Sequence, residues 1–418
     1  MKKLFSIELK KILRNKLTIF IFILTFCTAL AFSYLTTGGL YSSRVLPDGT
    51  VEDTQGILAL KSAKEIEDVG FNELSPENLK PIVHKYQDIL NKYGTEIPND
   101  IYVKEIDPYS NILKIFPQIY INEDGTYNYD IFKTITDEQI DQIYETRDKT
   151  VEDYIRSQLP GQPFAVEHVL AMNEKVDTPF TYYPLLSSWH NVLAQISIML
   201  LILFFYNSIV IAPIFASEYQ SGSIMITRST KLGRKPLTNV KIKVSILIST
   251  LIYFVFMMVF TAVLLILYGI DGMKMPIQMI GITIATPMNL GQLYIISIVV
   301  GYLSMIVLNL VTLLLSLKLK NSFYTVIAFI AILILPNIIS SFSENGSIFS
   351  FLVDIFPTAG VNIYTALCRL NFYKLGSISL WSPWIIMLST LIWIPILIVL
   401  IQKDSSNKDK SKFSYTGR

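Results

Sequence analysis

The residue types that most often carry chemistry are few in this sequence, and their spacing does not suit catalysis. The three histidines, His84, His168 and His190, occur neither in an HExxH motif nor in another paired spacing of metal ligands. The tripeptide Ser221-Gly222-Ser223 lacks the glycine pattern of a hydrolase nucleophile elbow and is typical of a turn. We therefore predict that the chain is not an enzyme and holds no metal.

The sequence also lacks the signatures of direct coupling to ATP or to an ion gradient. No segment fits Gly-x4-Gly-Lys-Ser/Thr, whose backbone cradles nucleotide phosphates, so any ATP and Mg²⁺ that drive the protein must be bound by a partner chain. The cores of its long apolar segments contain no Asp, Glu, Lys or Arg, whereas proton and sodium relays need an ionisable group at that depth. We predict that this chain carries no cofactor.

The elements that position the remaining residues belong to an unusually apolar chain. Of its 418 residues 51% are hydrophobic and 16% are charged, and the mean hydropathy of +0.46 is typical of membrane proteins. Six apolar runs are long enough to cross a bilayer as helices. They cover residues 17–34, 189–215, 244–269, 293–317, 322–341 and 384–402. The sequence thus predicts an all-α polytopic membrane protein with six transmembrane helices.

The charges divide between alternate connections of these six helices. One set contains nineteen Lys and Arg but only four acidic residues, a net charge of +15, whereas residues 35–188 carry a net charge of −13. The positive-inside rule makes the first set cytoplasmic, together with both termini. We therefore expect a multi-pass protein of a bacterial plasma membrane, with residues 35–188 outside. The alternative, a cleaved signal peptide ending at Ala29-Leu30-Ala31, is disfavoured because the apolar run continues beyond that site.

Residues 35–188 are patterned like a folded domain. A helix is predicted over residues 75–94, where Ser75 and Pro76 start an amphipathic pattern that Gly94 ends. A second helix is predicted over residues 136–159, opened by a capping box of Thr136 and Gln139. Alternating apolar residues over 119–131, around a turn at Glu123-Asp124-Gly125, predict a short hairpin. We expect a helix-rich α+β extracytoplasmic domain.

Three further segments complete the predicted organisation. Residues 1–16 form an amphipathic interfacial helix on the membrane lipids, and residues 403–418 form a disordered cytoplasmic tail. Residues 342–383 form an outer loop with re-entrant or interfacial helices, because a proline and a glycine interrupt its apolar stretch. In the first segment, Leu9, Ile12 and Leu13 are expected to face the acyl chains. The cations expected to face lipid phosphates are Lys2, Lys3, Lys10, Lys11 and Arg14.

The cytoplasmic connection over residues 216–243 is the most informative segment. It begins with Glu218 and Tyr219, continues through the Ser-Gly-Ser break and a short apolar run, and ends in basic residues from Arg228 to Lys243. This order indicates a helix end, a short helix lying across the membrane face, and the start of the next membrane helix. Such a surface helix would transmit force from a soluble partner to two membrane helices.

The spacing of Glu218, Gly222, Ser223, Arg234 and Lys241 resembles the E-x-x-x-G-T/S…R…K signature of type-2 ABC exporter permeases, whose fold is like that of the ABCG half-transporters. The six helices, the basic N-terminal helix and a Phe-Pro pair before the last helix match the same family. Ser223 stands where threonine is common in the family. The large insertion after the first helix resembles the subset of these permeases linked to export of peptides, antibiotics or sodium.

The resemblance implies a membrane subunit that works with two ABC ATPase subunits and a second permease chain, identical or paralogous, in a dimer. Residues 218–228 would then form the coupling helix seated on an ATPase, with Glu218 at its hinge. The residues implied in coupling are Glu218, Tyr219, Ser221, Gly222, Ser223 and Arg228. ATP hydrolysis would take place in the ATPase subunits. The predicted substrate path, between the second and fifth helices, includes Phe205, Asn207, Ile211, Tyr324 and Asn337.

Two functions are compatible with this organisation. The first is export of an amphipathic substrate, such as a peptide, an antibiotic or a lipid-like molecule, because the predicted cavity has no fixed charge; a sodium-efflux permease is a variant of it. The second is a sensor whose acidic outer domain captures a cationic peptide without transport, since a net charge of −13 attracts cations over long range. Nucleic acid is not an expected partner of either.

Overall fold

The computed structural model describes residues 2–406 except 231, 232, 234 and 377, and its secondary structure is mainly helical. Of the tail predicted over residues 403–418, residues 403–406 are instead part of the last helix, and the others lie outside the described residues. The α-helices, numbered along the chain, are α1 (Lys2–Leu13), α2 (Lys16–Gly38), α3 (Ile57–Ile66), α4 (Pro76–Tyr93), α5 (Asn99–Ile101), α6 (Ser110–Leu113), α7 (Ile115–Ile119), α8 (Asp137–Asp141), α9 (Ile143–Gln158), α10 (Pro163–Asn173), α11 (Leu186–Ile211), α12 (Pro213–Gln220), α13 (Ile224–Ser229), α14 (Lys235–Tyr268), α15 (Leu290–Leu319), α16 (Ser322–Ser341), α17 (Ile348–Asp354), α18 (Ile363–Cys368) and α19 (Ser382–Ser406).

Six of the described helical segments are long and apolar enough to cross a membrane, as predicted. They are Lys16–Gly38, Leu186–Gln220, Lys235–Tyr268, Leu290–Leu319, Ser322–Ser341 and Ser382–Ser406. The chain is therefore a helical polytopic membrane protein. Several helices extend beyond the predicted apolar runs; α14, for example, begins at Lys235 instead of residue 244, because backbone hydrogen bonding continues into the polar flank. We name the end of the bundle that carries residues 41–185 the domain end, and the other the basic end.

The centre of the bundle is α15, whose spanning window is 67% buried. Small residues allow its neighbours to approach closely. A Cβ at Gly301 would lie 2.9 Å from both Leu200 and the Tyr253 hydroxyl, and one at Gly360 would lie 2.0 Å from the Ser304 hydroxyl. Larger residues at these two glycines would therefore force the packed helices apart.

Two hydrogen bonds between buried polar side chains link the membrane helices. Ser249 donates a hydrogen bond of 2.8 Å to Asn207 Oδ1, and Asn309 Nδ2 donates one of 3.1 Å to Ser245. These bonds join α11 to α14 and α14 to α15. They satisfy groups that would be costly to leave unpaired in an apolar interior.

The polar domain contains helices α3–α10 and one small sheet. The antiparallel hairpin of Tyr41–Val45 (β1) and Val51–Gln55 (β2) turns at Asp48 and Gly49. Asp48 Oδ1 accepts the Thr50 N–H at 3.0 Å, and Gly49 has a φ of +85°, which favours glycine. The predicted helix-rich α+β composition is therefore present, with its hairpin at a different place from the one predicted.

The hairpin predicted over residues 119–131 is wrong. Helix α7 ends at Ile119, a turn follows, and Tyr129–Lys133 forms a 3₁₀ helix. Asp124 Oδ1 accepts the Thr126 N–H at 2.9 Å, which closes a local turn without strands on either side. Of the apolar residues that suggested alternation, Ile119 and Ile131 lie in the core as parts of short helices, whereas Ile121, Tyr127 and Tyr129 are exposed.

The two predicted domain helices are present, one of them in two parts. Helix α4 begins at Pro76 and is followed by Gly94, at a φ of +65°, as expected. The capping box of Thr136 and Gln139 also forms. It opens α8, however, which ends after five residues, and a break at Gln142 separates α8 from α9. The single helix predicted over residues 136–159 is therefore two helices.

The polar domain packs against the connection between α14 and α15. Arg147, with a fully buried side chain, donates to the carbonyl oxygen of Ile282 at 3.2 Å and pairs with Asp148 at 2.8 Å. Its guanidinium also lies over the Phe180 ring, 5.7 Å from the centroid. The connection and the domain thus form one packed unit at the domain end.

Glu67 joins the domain to the start of α11. Its Oε2 accepts the backbone N–H of Leu185 at 2.7 Å and the hydroxyl of Tyr182 at 3.3 Å. Leu185 has a left-handed backbone, with a φ of +69°, at the residue that precedes the helix. The carboxylate therefore holds the chain where it turns from the domain into a membrane helix.

Replacing Glu67 by glutamine should change how stability depends on pH. Burial raises the pKa of Glu67 above its ordinary value of 4.5. The folded chain then binds more protons than the unfolded chain just above pH 4.5, so this group makes the free energy of unfolding fall as pH rises through that window. Glu67→Gln retains an oxygen for Leu185 and removes the titration. We therefore compare the melting temperature of Glu67→Gln with that of wild type at each pH. The difference, variant minus wild type, should be about 2 °C larger at pH 7.5 than at pH 4.5.

The measurement is thermal unfolding of the full chain in detergent at both pH values. Glu65→Gln is the control, since Glu65 lies two residues before Glu67, is exposed, and forms only a long 4.0 Å surface ion pair with Lys61. If Glu67→Gln shifted the melting temperature equally at the two pH values, the assignment of a buried, titrating carboxylate would be wrong.

The segment after α16 contains the predicted helix pair. Ile348–Asp354 and Ala359–Cys368 are helical and meet at 101°. An antiparallel hairpin follows, formed by Phe372–Leu375 (β3) and Ile378–Trp381 (β4). The placement of the pair relative to a bilayer remains a prediction.

The N-terminal helix packs partly on the protein. Glu8 is buried, and Leu4, Phe5, Leu9 and Ile12 pack against the hydrophobic core. Leu9 and Ile12 are half-buried, because the helix turns the stripe containing Glu8 towards the bundle; contact of their remaining surface with acyl chains stays a prediction. Leu13 is exposed, and so are the basic side chains Lys2, Lys3, Lys10, Lys11 and Arg14.

Candidate functional site

The predicted coupling helix over residues 218–228 is two helices in the structure. Glu218 and Tyr219 lie in α12, which ends at Gln220, and α13 begins at Ile224. Gly222 separates them with a φ of +71°, a conformation that side chains other than glycine's rarely adopt. The hydroxyls of Ser221 and Ser223 lie 2.9 Å apart across it. The chain therefore turns sharply at the predicted Ser-Gly-Ser break.

Glu218 and Lys241 form an ion pair buried at the basic end. Glu218 Oε1 lies 2.6 Å from Lys241 Nζ, and the two side chains are 7% and 1% exposed. Lys241 also donates to the carbonyl oxygen of Ile214 at 2.8 Å and lies 4.8 Å from the centroid of the Phe215 ring. A charge pair removed from water is costly to break, so α12 and α14 are held together at this point.

The N-terminal helix reaches the same carboxylate. Lys11 Nζ lies 3.6 Å from Glu218 Oε1, and Glu8 is buried against the bundle on the same helix. One acidic side chain thus contacts basic groups from two other helices, α1 and α14. Glu218 is the sole acidic residue of this strongly basic connection, but the sequence does not indicate which cations it meets.

The break between α11 and α12 is closed by Ser316 of α15. Its hydroxyl donates to the carbonyl oxygen of Ala212 at 2.6 Å and accepts the N–H groups of Phe215 and Ala216 at 3.3 and 3.0 Å. Pro213, at the first position of α12, has no N–H to continue the hydrogen bonding of α11. Ser316 therefore ties the bend to the central helix.

The end of α12 also contacts the chain where α15 ends and α16 begins. Ser322 donates to Gln220 Oε1 at 3.1 Å, and Lys320 Nζ lies 5.1 Å from the centroid of the Tyr219 ring. A displacement of α12 would thus reach α14 through Lys241, α15 through Ser316, and α16 through Ser322.

Helix α13 presents apolar side chains to the outside. Met225 is 67% exposed and Ile226 is 74% exposed, although both belong to a short helix beside basic chain segments. We call these two side chains the apolar knob. The side chain of Arg228 and the whole of Arg234, which contributed to the predicted signature, lie outside the described residues.

Nothing in this arrangement of described residues resembles a catalytic centre. Among the residues that the structure places, there is no group of three His, Cys, Asp or Glu side chains that could hold a metal. The basic end combines an exposed apolar knob, a glycine turn, and a helix α12 that contacts three membrane helices and α1.

The residues predicted for the substrate path do not form one surface. Asn207 and Ile211 are buried within the bundle, and Asn207 bonds to Ser249. Tyr324 is exposed near the start of α16 and Asn337 lies near its end, about 20 Å away at the rise of an α-helix. Phe205 is half-buried beside Tyr206. A path through all five would need another arrangement of helices or a second chain.

Comparisons of the chain with family models, with curated proteins and with solved structures gave no significant match. The geometry of the basic end and the sequence pattern therefore carry the functional argument.

Proposed function

We propose that this chain is the membrane-spanning permease subunit of an ATP-driven exporter of the type-2 ABC class. ATP and Mg²⁺ bind in a separate ATPase, two copies of which act on two permease chains. The substrate is amphipathic, and the basic end faces the cytoplasm, as the charge distribution favours.

The observation that carries the proposal is the apolar knob. Two neighbouring apolar side chains exposed on a short helix, within a connection that is basic in sequence, can form the centre of a contact with a soluble protein. The Glu218–Lys241 pair and Ser316 connect the neighbouring α12 to the membrane helices. A partner seated on the knob can therefore move the ends of α14, α15 and α16.

The proposed mechanism follows from these links. Closure of the ATPase dimer on ATP pushes α13, and the turn at Gly222 passes the displacement to α12. Because α12 is fastened to α14 and α15, the ends of these helices move together, and the cavity between the two permease chains opens alternately towards the two sides of the membrane.

Affinity purification of the full chain from the membranes of its native host tests the proposal. We expect an ABC ATPase to copurify in a ratio near one ATPase per permease chain, and its ATP hydrolysis to be sensitive to vanadate. Recovery of a histidine kinase in its place would support the sensor function instead. Recovery of the chain without any ATPase, from membranes where both are expressed, would contradict the proposal.

A further inference from the structure

A polar cavity of about 340 Å³ lies at the domain end, between the end of α16, the bent pair α17 and α18, and the start of α19. Amides and hydroxyls form much of its wall, among them Asn337, Ser340 and Asn362. Asn362 Nδ2 donates to Asn337 Oδ1 at 3.1 Å, which fixes this wall. The cavity also has two charged groups, Asp354 and Arg369.

Both charged groups retain free bonding capacity. Asp354 Oδ2 accepts the hydroxyls of Tyr373 at 2.6 Å and Ser382 at 2.5 Å, whereas Oδ1 has no donor among the described residues. Arg369 is exposed at the edge of the cavity, and its side chain forms no ion pair within the part of the chain that the structure describes. An anionic and a cationic group that do not pair with each other therefore line one cavity.

An apolar groove of about 400 Å³ adjoins the polar cavity. Its walls include Leu335, Pro336 and Ile339 of α16, Leu352 of α17, and Trp393 of α19. Trp393 is held by a 2.8 Å hydrogen bond from its Nε1 to the carbonyl oxygen of Ile355. Val353 lines both the groove and the cavity, and the consecutive residues Pro336 and Asn337 line one each.

We infer that the cavity and the groove together bind a membrane phospholipid with an amine in its head group, such as phosphatidylethanolamine. The ammonium group lies at Asp354, the phosphate lies at Arg369, and an acyl chain occupies the groove. Both charges of the zwitterion then meet an opposite charge, and the ammonium donates N–H groups to Asp354. A phosphatidylglycerol head group would leave Asp354 without a cation, and the trimethylammonium of phosphatidylcholine has no N–H to donate to it. An acyl chain removes the apolar groove from water, which stabilises the complex.

The position of the site along the helices fits a lipid. The polar cavity lies at the last turn of the membrane-crossing α16, and the groove runs back along that helix by about one turn. Head groups occupy this level of a bilayer and acyl chains the level next to it. The inference does not depend on ATP-driven transport, so it can fail while the proposed function stands.

Photo-cross-linking of the full chain in phosphatidylcholine vesicles tests the inference. The probes are phosphatidylethanolamine and phosphatidylglycerol, each at 5 mole per cent and each with a diazirine on the same acyl chain. We expect the ethanolamine probe to label residues 335–356 and 393 at least about fivefold more than the glycerol probe, as one well-formed charge-assisted contact predicts.

Asp354→Asn should abolish this preference, because asparagine keeps an oxygen for Tyr373 and Ser382 but loses the charge. Glu344→Gln is the matched control, because Glu344 is an exposed acid ten residues away that does not line the cavity. The Glu344→Gln variant should keep the preference for the ethanolamine probe. Ile339→Trp should lower labelling by both probes by filling the groove. Equal labelling by the two probes, an unchanged preference in Asp354→Asn, or cross-links from the groove to a second copy of the chain would each overturn the inference.

Discussion

Replacing both Met225 and Ile226 by aspartate should lower the ATP hydrolysis of the copurified complex by about tenfold or more. Both side chains are mostly exposed in the free chain, so the substitutions leave its fold intact. At an interface with an ATPase, however, they would bury two carboxylates without partners, which costs several kcal/mol in free energy of binding. The measurement is vanadate-sensitive ATP hydrolysis per permease chain in lipid nanodiscs.

The matched control is the same double substitution at the opposite end of the bundle. Ile57 and Leu58 are consecutive, 53% and 78% exposed, and lie in the polar domain. Aspartates there should leave ATP hydrolysis within about twofold of wild type. If the Met225 and Ile226 variant hydrolysed ATP as fast as this control while remaining bound to the ATPase, the knob would not be the contact that couples the two proteins.

The second large effect is expected at the buried ion pair. Lys241→Met should destabilise the chain by about 3–5 kcal/mol, because it leaves Glu218 buried with only the more distant Lys11 as a cation. We expect little folded protein to accumulate in membranes. Thermal unfolding of the fraction that does fold, measured in detergent, gives the size of the effect.

Combining Glu218→Gln with Lys241→Met should restore much of the lost stability, because the variant has no uncompensated buried charge. Under the proposed function, this double variant should fold and bind the ATPase but hydrolyse ATP without moving the membrane helices together. The pair would be unimportant for the fold if Lys241→Met alone unfolded at the wild-type temperature. Additive effects of the two single substitutions would likewise show that the two charges do not interact.

The six membrane helices could be predicted because a bilayer requires long apolar runs, which are visible in one stretch of sequence. The capping box of Thr136 and Gln139 and the end of α4 at Gly94 could be predicted for a similar reason, since caps depend on neighbouring residues. The break at Gln142 could not, because it interrupts an apolar pattern that remains regular on both sides.

The features that could not be predicted from the sequence depend on contacts between residues far apart in the chain. Glu218 and Lys241 are separated by 23 positions, and no local pattern indicates that they meet; the cluster of cations in the same connection suggested only topology. The hairpin of Tyr41–Val45 and Val51–Gln55 is too polar to show strand alternation. Helix α1 has apolar residues on more than one face, so a helical-wheel projection of its sequence does not show which face contacts the bundle.

A permease coupled to an ATPase must bind that ATPase at the apolar knob. A photo-cross-linking amino acid at position 226 of the full chain, activated in native membranes, identifies that neighbour by mass spectrometry. We predict that the main cross-linked partner is an ABC ATPase, and that the same amino acid at position 58 gives no such product. Cross-links from position 226 to lipid alone, or to a histidine kinase, would contradict the account.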